Sequence, residues 1–254
     1  MKDIKFIVTD LDDTLLRRDK TVSAYTIDVL HHAQECGFLL AFATARDFRF
    51  VTEHISPMTG IIPDVLIADV GALAFCFGKE VYKKMIPADT VNMLISQFGS
   101  IRCISTQESY SISGEHSSNH WSLDKQATIM TDFNESVQCD ALYLDGFTDK
   151  SSQFYSEHCP EIRVVRYTGG DLVTLVHHEA SKLHALHAVL DTLSMEMGDI
   201  VYFGDDYSDI EILSSCDNGI AVANAIDECK AAASDLCGDC DEDGVAVWIE
   251  ENLL

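Results

Sequence analysis

Residues 4–16 read Ile4-Lys5-Phe6-Ile7-Val8-Thr9-Asp10-Leu11-Asp12-Asp13-Thr14-Leu15-Leu16, an apolar run that ends abruptly in carboxylates. A run this continuous suits a strand buried on both faces of a parallel sheet. Outward from it, residues 23–36 place Tyr25, Val29, Leu30 and Ala33 at helical spacing, with Ser23 as N-cap and Gly37 just past the end. A second apolar run follows at 38–43 and ends in Thr44-Ala45-Arg46. The chain therefore opens strand, helix, strand. A helix over 47–55, a loop holding Pro57, Gly60 and Pro63, and a strand over 64–68 continue the unit.

The last third repeats the alternation: helix 181–193, strand 200–203, helix 206–215, strand 219–222, helix 225–234 and a closing helix 245–252. Such alternation at both ends predicts one doubly wound, Rossmann-like α/β parallel-sheet core assembled from two separated segments. Between them, from about residue 87 to 180, β-rich runs at 101–105, 141–144, 162–167 and 172–175 alternate with two or three helical stretches. That pattern predicts an inserted, smaller α+β domain. The expected division is a core of residues 1–84 and 181–254 around an insertion of residues 85–180, which suits a chain of 254 residues.

Seventeen Lys and Arg against 42 Asp and Glu give a formal net charge of -25, which repels nucleic acid and anionic membrane surfaces. No stretch approaches the roughly 20 apolar residues that span a bilayer, and no signal-peptide core precedes Asp10, so a cytoplasmic protein is expected. The nine cysteines are scattered and sit largely in apolar runs, the pattern of reduced core residues. Cys237-Gly-Asp-Cys240 alone has ligand-like spacing, and a zinc site would need a second pair that the sequence lacks.

In open α/β sheets, ligands sit beyond the carboxyl ends of the strands. Asp10, Asp12 and Asp13 follow the first strand there, Thr44 the second, and Asp205, Asp206 and Asp209 the strand at 200–203. An acidic residue at a strand end is also an ordinary turn former, so no one of these is informative alone. If the loops converge, two unit charges about 4 Å apart repel by roughly 4 kcal/mol at an effective dielectric near 20, and the cluster calls for a cation. Hard oxygen ligands favour Mg²⁺ over zinc.

Four segments in order resemble the motifs of the haloacid dehalogenase-like hydrolase superfamily, in its Cof-type, sugar-phosphatase-like branch with a large α+β cap. They are Asp10-Leu11-Asp12-Asp13-Thr14-Leu15-Leu16, Ala43-Thr44-Ala45-Arg46, Lys182 within Ala180-Ser181-Lys182-Leu183-His184-Ala185-Leu186, and Phe203-Gly204-Asp205-Asp206-Tyr207-Ser208-Asp209. The tail Gly219-Ile220-Ala221-Val222-Ala223-Asn224-Ala225 and Asp243-Gly244-Val245-Ala246 are also similar to the branch. The resemblance implies a phosphatase that hydrolyses small-molecule phosphate monoesters, a sugar phosphate or similar, through an aspartyl-phosphate. Asp10 would be the nucleophile. Asp12 would protonate the leaving alcohol and then deprotonate water. Lys182 and Thr44 would meet the phosphoryl oxygens, with Leu11, Ala45 and Ser208 as further substrate-binding positions. Mg²⁺ would be held by Asp10, the main-chain carbonyl of Asp12 and Asp205, supported by Asp206 or Asp209.

The sequence departs from the branch at four places. Asp13 and Ala45 stand where Gly is frequent, and Ser208 and Val70 stand where Asn is usual. The resemblance also implies that the cap closes over the site and selects the substrate, with His116, His120 and Trp121 as positions of interest. A monomer or homodimer is expected. Two other readings stay open: a phosphomannomutase-like phosphomutase built on the same aspartate pair, and a non-catalytic magnesium- or phosphate-binding protein.

Overall fold

The apolar run that opens the chain becomes β1 (Phe6–Thr9), and Phe6, Ile7 and Val8 are completely buried. Each such side chain contributes about 1.5–3 kcal/mol by leaving water. The structure, a computed structural model, describes residues 4–97, 101–105, 110–113, 128–130, 138–144, 149–168 and 172–254; His116, His120 and Trp121 lie outside them. It divides into two units, Met1–Tyr82 with Ser181–Leu254, and Lys83–Ala180.

In the first unit β1 is followed by α1 (Ala24–Glu35) and β2 (Leu39–Ala43). Ser23 caps α1, its Oγ accepting from Thr26 N at 3.0 Å, a bond of about 1 kcal/mol. Gly37, at φ 93, follows its end. The buried stripe is Thr26, Val29, Leu30 and Ala33. Tyr25, expected on that stripe, is instead exposed, and its hydroxyl donates to Glu250 Oε2 at 2.7 Å.

Asp47 caps α2 (Phe48–Phe50), which runs through a π-helical turn, Val51–Ile55, into α3 (Ser56–Thr59). The expected helix thus extends past Ile55. Proline lacks a donor and crowds the carbonyl four residues back. The wider turn ahead of Pro57, closed by Ser56 N donating to Val51 O, carries the helix on, and Gly60 at φ 72 stops it. After β3 (Val65–Ala68) come β4 (Leu73–Cys76) and β5 (Lys79–Lys83), which the sequence reading did not predict. β4 runs antiparallel to β3.

The second unit holds α4 (Ala88–Gln97), β6 (Ile101–Ser105), β7 (Tyr110–Ser113), β8 (Thr128–Met130), β9 (Ala141–Leu144), α5 (Asp149–His158), β10 (Ile162–Arg166) and β11 (Val173–His177). Its sheet has the order β10-β11-β9-β6-β7-β8. Ile86, Leu94, Leu142, Tyr155 and Leu175 belong to its own buried core.

The chain returns to the first unit with α6 (Lys182–Leu193), β12 (Ile200–Gly204), α7 (Ile210–Ser215), β13 (Gly219–Ala221), α8 (Asp227–Ala232), β14 (Asp235–Leu236) and α9 (Gly244–Leu253). The eight strands take the order β14-β13-β12-β1-β2-β3-β4-β5, parallel from β14 through β3. This is the α/β core with β1 and β12 at its centre. The carboxyl ends of these two adjacent strands, separated by almost 200 residues in the chain, bring the two acidic loops together. No helix among the described residues is long and apolar enough to cross a membrane. Cys36, Cys76, Cys139, Cys159, Cys216, Cys229, Cys237 and Cys240 are free, and six of these eight are buried.

Candidate active site

Asp10 N donates to Phe203 O at 2.9 Å, so the ladder between β1 and β12 sets Asp10 beside the loop that follows β12. Lys182 opens α6, where Ser181 Oγ accepts from His184 N at 3.1 Å. Cations ordinarily favour the other end of a helix. Two carboxylates explain this one: Lys182, 1% exposed, donates from Nζ to Asp10 Oδ1 at 2.8 Å and to Asp209 Oδ1 at 2.7 Å. Two glycines permit the close approach. A Cβ on Gly71 would lie 2.2 Å from the Ser181 carbonyl, and one on Gly204 would lie 2.6 Å from Asp209 Cβ.

Asp10, Asp205 and Asp209 each offer a carboxylate oxygen within 4.8 Å of the others'. Burial, with the Asp209 charge adding to it against Lys182, pushes Asp10 up to about 7. Burial and then the Asp10 and Asp209 charges push Asp205 up to about 9. Burial also works against the Lys182 ammonium, yet Asp10 and Asp209 hold its pKa above the usual lysine range. Thr14 Oγ donates to Asp205 Oδ1 at 2.8 Å. Three carboxylates thus share one lysine, and the oxygen-only donor set fits a hard divalent cation.

Asp209 is the most fully engaged of the three. Its Oδ1 accepts from Lys182 and, at 2.5 Å, from the Tyr202 hydroxyl. Its Oδ2 accepts from the Asp205 and Asp206 amides, both at 3.1 Å. The structure does not bring Asp206 into the trio; its Oδ1 accepts from Tyr207 N at 2.8 Å.

Asp12 sits in a different setting. Arg46 grips it with two bonds, Nε to Oδ2 at 2.7 Å and a terminal nitrogen to Oδ1 at 2.8 Å, and stands 4.4 Å over the Phe50 ring. Lys20 lies 3.2 Å from Asp12 Oδ1 and 2.7 Å from Asp13 Oδ1. Burial alone would raise Asp12, but Arg46 and then Lys20 override it and hold the carboxyl at about 2. Asp13, at φ 60, shows why glycine is frequent there, and aspartate tolerates the left-handed region better than most residues. Asn224 fixes that turn, donating to Asp13 O at 2.6 Å while accepting from Cys240 N at 2.9 Å. Arg17 on Asp243, and Arg18 on Asp239 and Asp241, tie the following loop to the C-terminal segment.

Thr44 is buried, and its Oγ accepts from Arg46 N at 3.0 Å. Asp69, Val70 and Gly71 follow β3 with φ of 48, 57 and 89. They hold the Thr44 loop, Asp69 N donating to Arg46 O and Val70 N to Thr44 O. A β-branched residue at such a φ is strained, which asparagine would largely avoid. Leu11 is buried, and Ala45 and Ser208 are half-buried. Sequence reasoning assigned no role to Thr14, Lys20, Tyr202 or Asn224, nor to the Arg46 grip on Asp12. Only the reach of side chains across separate loops reveals them.

The site thus combines a buried aspartate, a buried lysine and a second acidic loop at the carboxyl ends of β1 and β12. The model of the haloacid dehalogenase-like hydrolases matches residues 7–249, and the chain belongs to that family. It is similar to the pyridoxal phosphate phosphatase YbhA of Escherichia coli, 25% identical over 98% of this chain and 99% of that protein. It is also similar to the 5-amino-6-(5-phospho-D-ribitylamino)uracil phosphatase YitU of Bacillus subtilis, 23% identical over 96% of each. The solved structure of a haloacid dehalogenase-like hydrolase from Bacteroides thetaiotaomicron superposes with a TM-score of 0.85 at 22% identity, covering 98% of this chain and 99% of that one.

Proposed function

We propose that this chain is a magnesium-dependent phosphatase of small-molecule phosphate monoesters, acting in the cytoplasm with Asp10 as nucleophile. One observation carries the reading: a fully buried Lys182 bridges Asp10 and Asp209 at 2.8 and 2.7 Å beside Asp205. A general phosphate-free cation site would have no use for a lysine in that place. The names of the two relatives, both phosphatases of small phosphorylated molecules, support the same reading.

In this mechanism an Asp10 oxygen attacks phosphorus, the bond to the ester oxygen breaks, and the departing oxygen takes a proton from Asp12. Water then attacks the aspartyl-phosphate, gives its proton to Asp12 and releases phosphate and free Asp10. Lys182 and the Thr44 hydroxyl meet the phosphoryl oxygens as charge builds on them. Arg46 and Lys20 favour the ionised Asp12 carboxylate, the form that the water step uses, so the leaving step requires that bound substrate loosen this pairing and that Asp12 still carry the proton it took from water in the preceding turnover. Asp10, Asp205 and the main-chain carbonyl of Asp12 would hold Mg²⁺, which when bound supplies charge neutralisation for carboxylates and phosphoryl group. Asp209 anchors Lys182.

A phosphate-release screen with Mg²⁺ across sugar phosphates, nucleotides and cofactor phosphates tests this. The expected result is turnover of at least one monoester without any bisphosphate activator, lost on chelation. Absence of release across the panel, or turnover that survives both chelation and Asp10→Asn, overturns it.

A further inference from the structure

Tyr202 occupies the middle of β12, paired to Val8 on one side and Gly219 on the other, and is completely buried. A phenylalanine would fill the same volume without a hydroxyl to satisfy, and a buried hydroxyl is costly unless bonded. Among the described residues, this hydroxyl makes one hydrogen bond, the 2.5 Å bond to Asp209 Oδ1. Burial first, and then the Asp209 charge, raise the phenol well above its ordinary pKa, so it is a donor at every working pH. Residues two apart on a strand share a face. On that face Gly204, two residues on, leaves the space that Asp209 takes, since a Cβ there would meet Asp209 Cγ at 2.7 Å. Strand β12 therefore provides both the room for Asp209 and a donor that points into it.

An ionised carboxylate has about four acceptor positions. The Tyr202 hydroxyl, Lys182 Nζ and the Asp205 and Asp206 amides occupy four on Asp209. We infer that the Tyr202 hydroxyl is a positioning group: by completing the bonds of Asp209 it fixes that carboxylate as the anchor of Lys182 and keeps it from turning toward a cation held by Asp10 and Asp205. Without the hydroxyl, Oδ1 keeps only the lysine, and both are free to shift together. Lys182 would then meet the phosphoryl oxygens in a broader range of positions.

The inference rests on the phosphatase reading for its activity assay, and two readouts keep their failures apart. Tyr202→Phe is expected to fold, and to lower kcat for p-nitrophenyl phosphate with Mg²⁺ by about tenfold while KM stays within about twofold, the size expected for losing one buried bond to a charged group. In an Asp209→Asn background the same change is expected to alter kcat by less than about twofold, because residues that act through one another do not add. Urea midpoints of the four metal-free proteins provide the second readout, with Tyr202→Phe lowering the midpoint in the parent and leaving it nearly unchanged beside Asp209→Asn. An unchanged kcat in Tyr202→Phe, or equal effects in both backgrounds, overturns the inference. If the parent chain does not turn over p-nitrophenyl phosphate or any other monoester, the phosphatase reading falls, and the midpoints alone decide whether Tyr202 acts through Asp209. If Asp209→Asn is inactive, the midpoints decide the coupling and the single variant decides the kinetics.

Discussion

Two groups of aspartates flank the end of β1, and their members Asp10 and Asp12, two residues apart in the chain, behave oppositely. Asp10, with Asp205 and Asp209, is gathered around one lysine in the interior. Asp12 and Asp13, at the rim, are matched by Arg46 and Lys20. Asp10 is driven up to about 7 and Asp12 down to about 2. Same residue type, two residues apart, yet burial dominates one and paired cations the other. The interior is short of positive charge, as the proposed site for a divalent cation and a phosphoryl group should be. The rim is already neutralised and holds its carboxylate in one place.

The largest expected effect breaks the interior: Asp10→Asn is expected to lower kcat by at least about a thousandfold, because it removes the proposed nucleophile. A continuous phosphate-release assay reads this directly.

Next, the two groups should give opposite slopes of stability against pH in the metal-free protein. Asp10 and Asp205 have folded pKa values raised above the ordinary 3.8, so the folded state binds more protons than the unfolded one from about pH 4 upward. Stability is therefore lost as pH rises through about 7 for Asp10 and about 9 for Asp205. Mg²⁺ should flatten that slope, and Asp205→Asn should do so without metal. Asp12 has the other sign: its contribution is full above pH 3.8 and is lost as pH falls through about 2. Urea midpoints from pH 2 to 10, with and without Mg²⁺, check both.

Arg46→Met sharpens the rim. It removes the fork on Asp12, so the variant should be less stable above pH 4 by about 1 kcal/mol, for a pair that is still partly exposed, and its loss of stability between about pH 3.8 and 2 should shrink. Acid titration of the thermal midpoint measures the shift. The smallest expected effect lies beneath the rim. Val70→Asn relieves a β-branched residue at φ 57 and should raise Tm by about 2 °C with kcat little changed.

Much of the core was legible because its signals are local. The run ending at Asp10 reads as a strand, Ser23 as a cap and Gly37 as a stop from a few neighbouring residues, and all three take those places. The hairpin of β4 and β5 was not, since Leu73–Cys76 is four apolar residues with no period to read, and its turn depends on positive φ at Phe77 and Gly78. Lys182 was legible as a position through the family resemblance, but its complete burial was not. Tyr202 reads as an ordinary strand filler, because nothing near it in the sequence says that Asp209 will pack against its face. Likewise, the grip of Arg46 on Asp12 joins loops 34 residues apart and exists only once β1 and β2 are paired.

In the proposed mechanism Asp10 carries the phosphoryl group. Acid quenching of the enzyme during turnover of a phosphate monoester with Mg²⁺, followed by peptide mass spectrometry, should find phosphate on the peptide that contains Asp10 and on no other carboxylate. Phosphate trapped at a different residue, or steady turnover by Asp10→Asn, would contradict it.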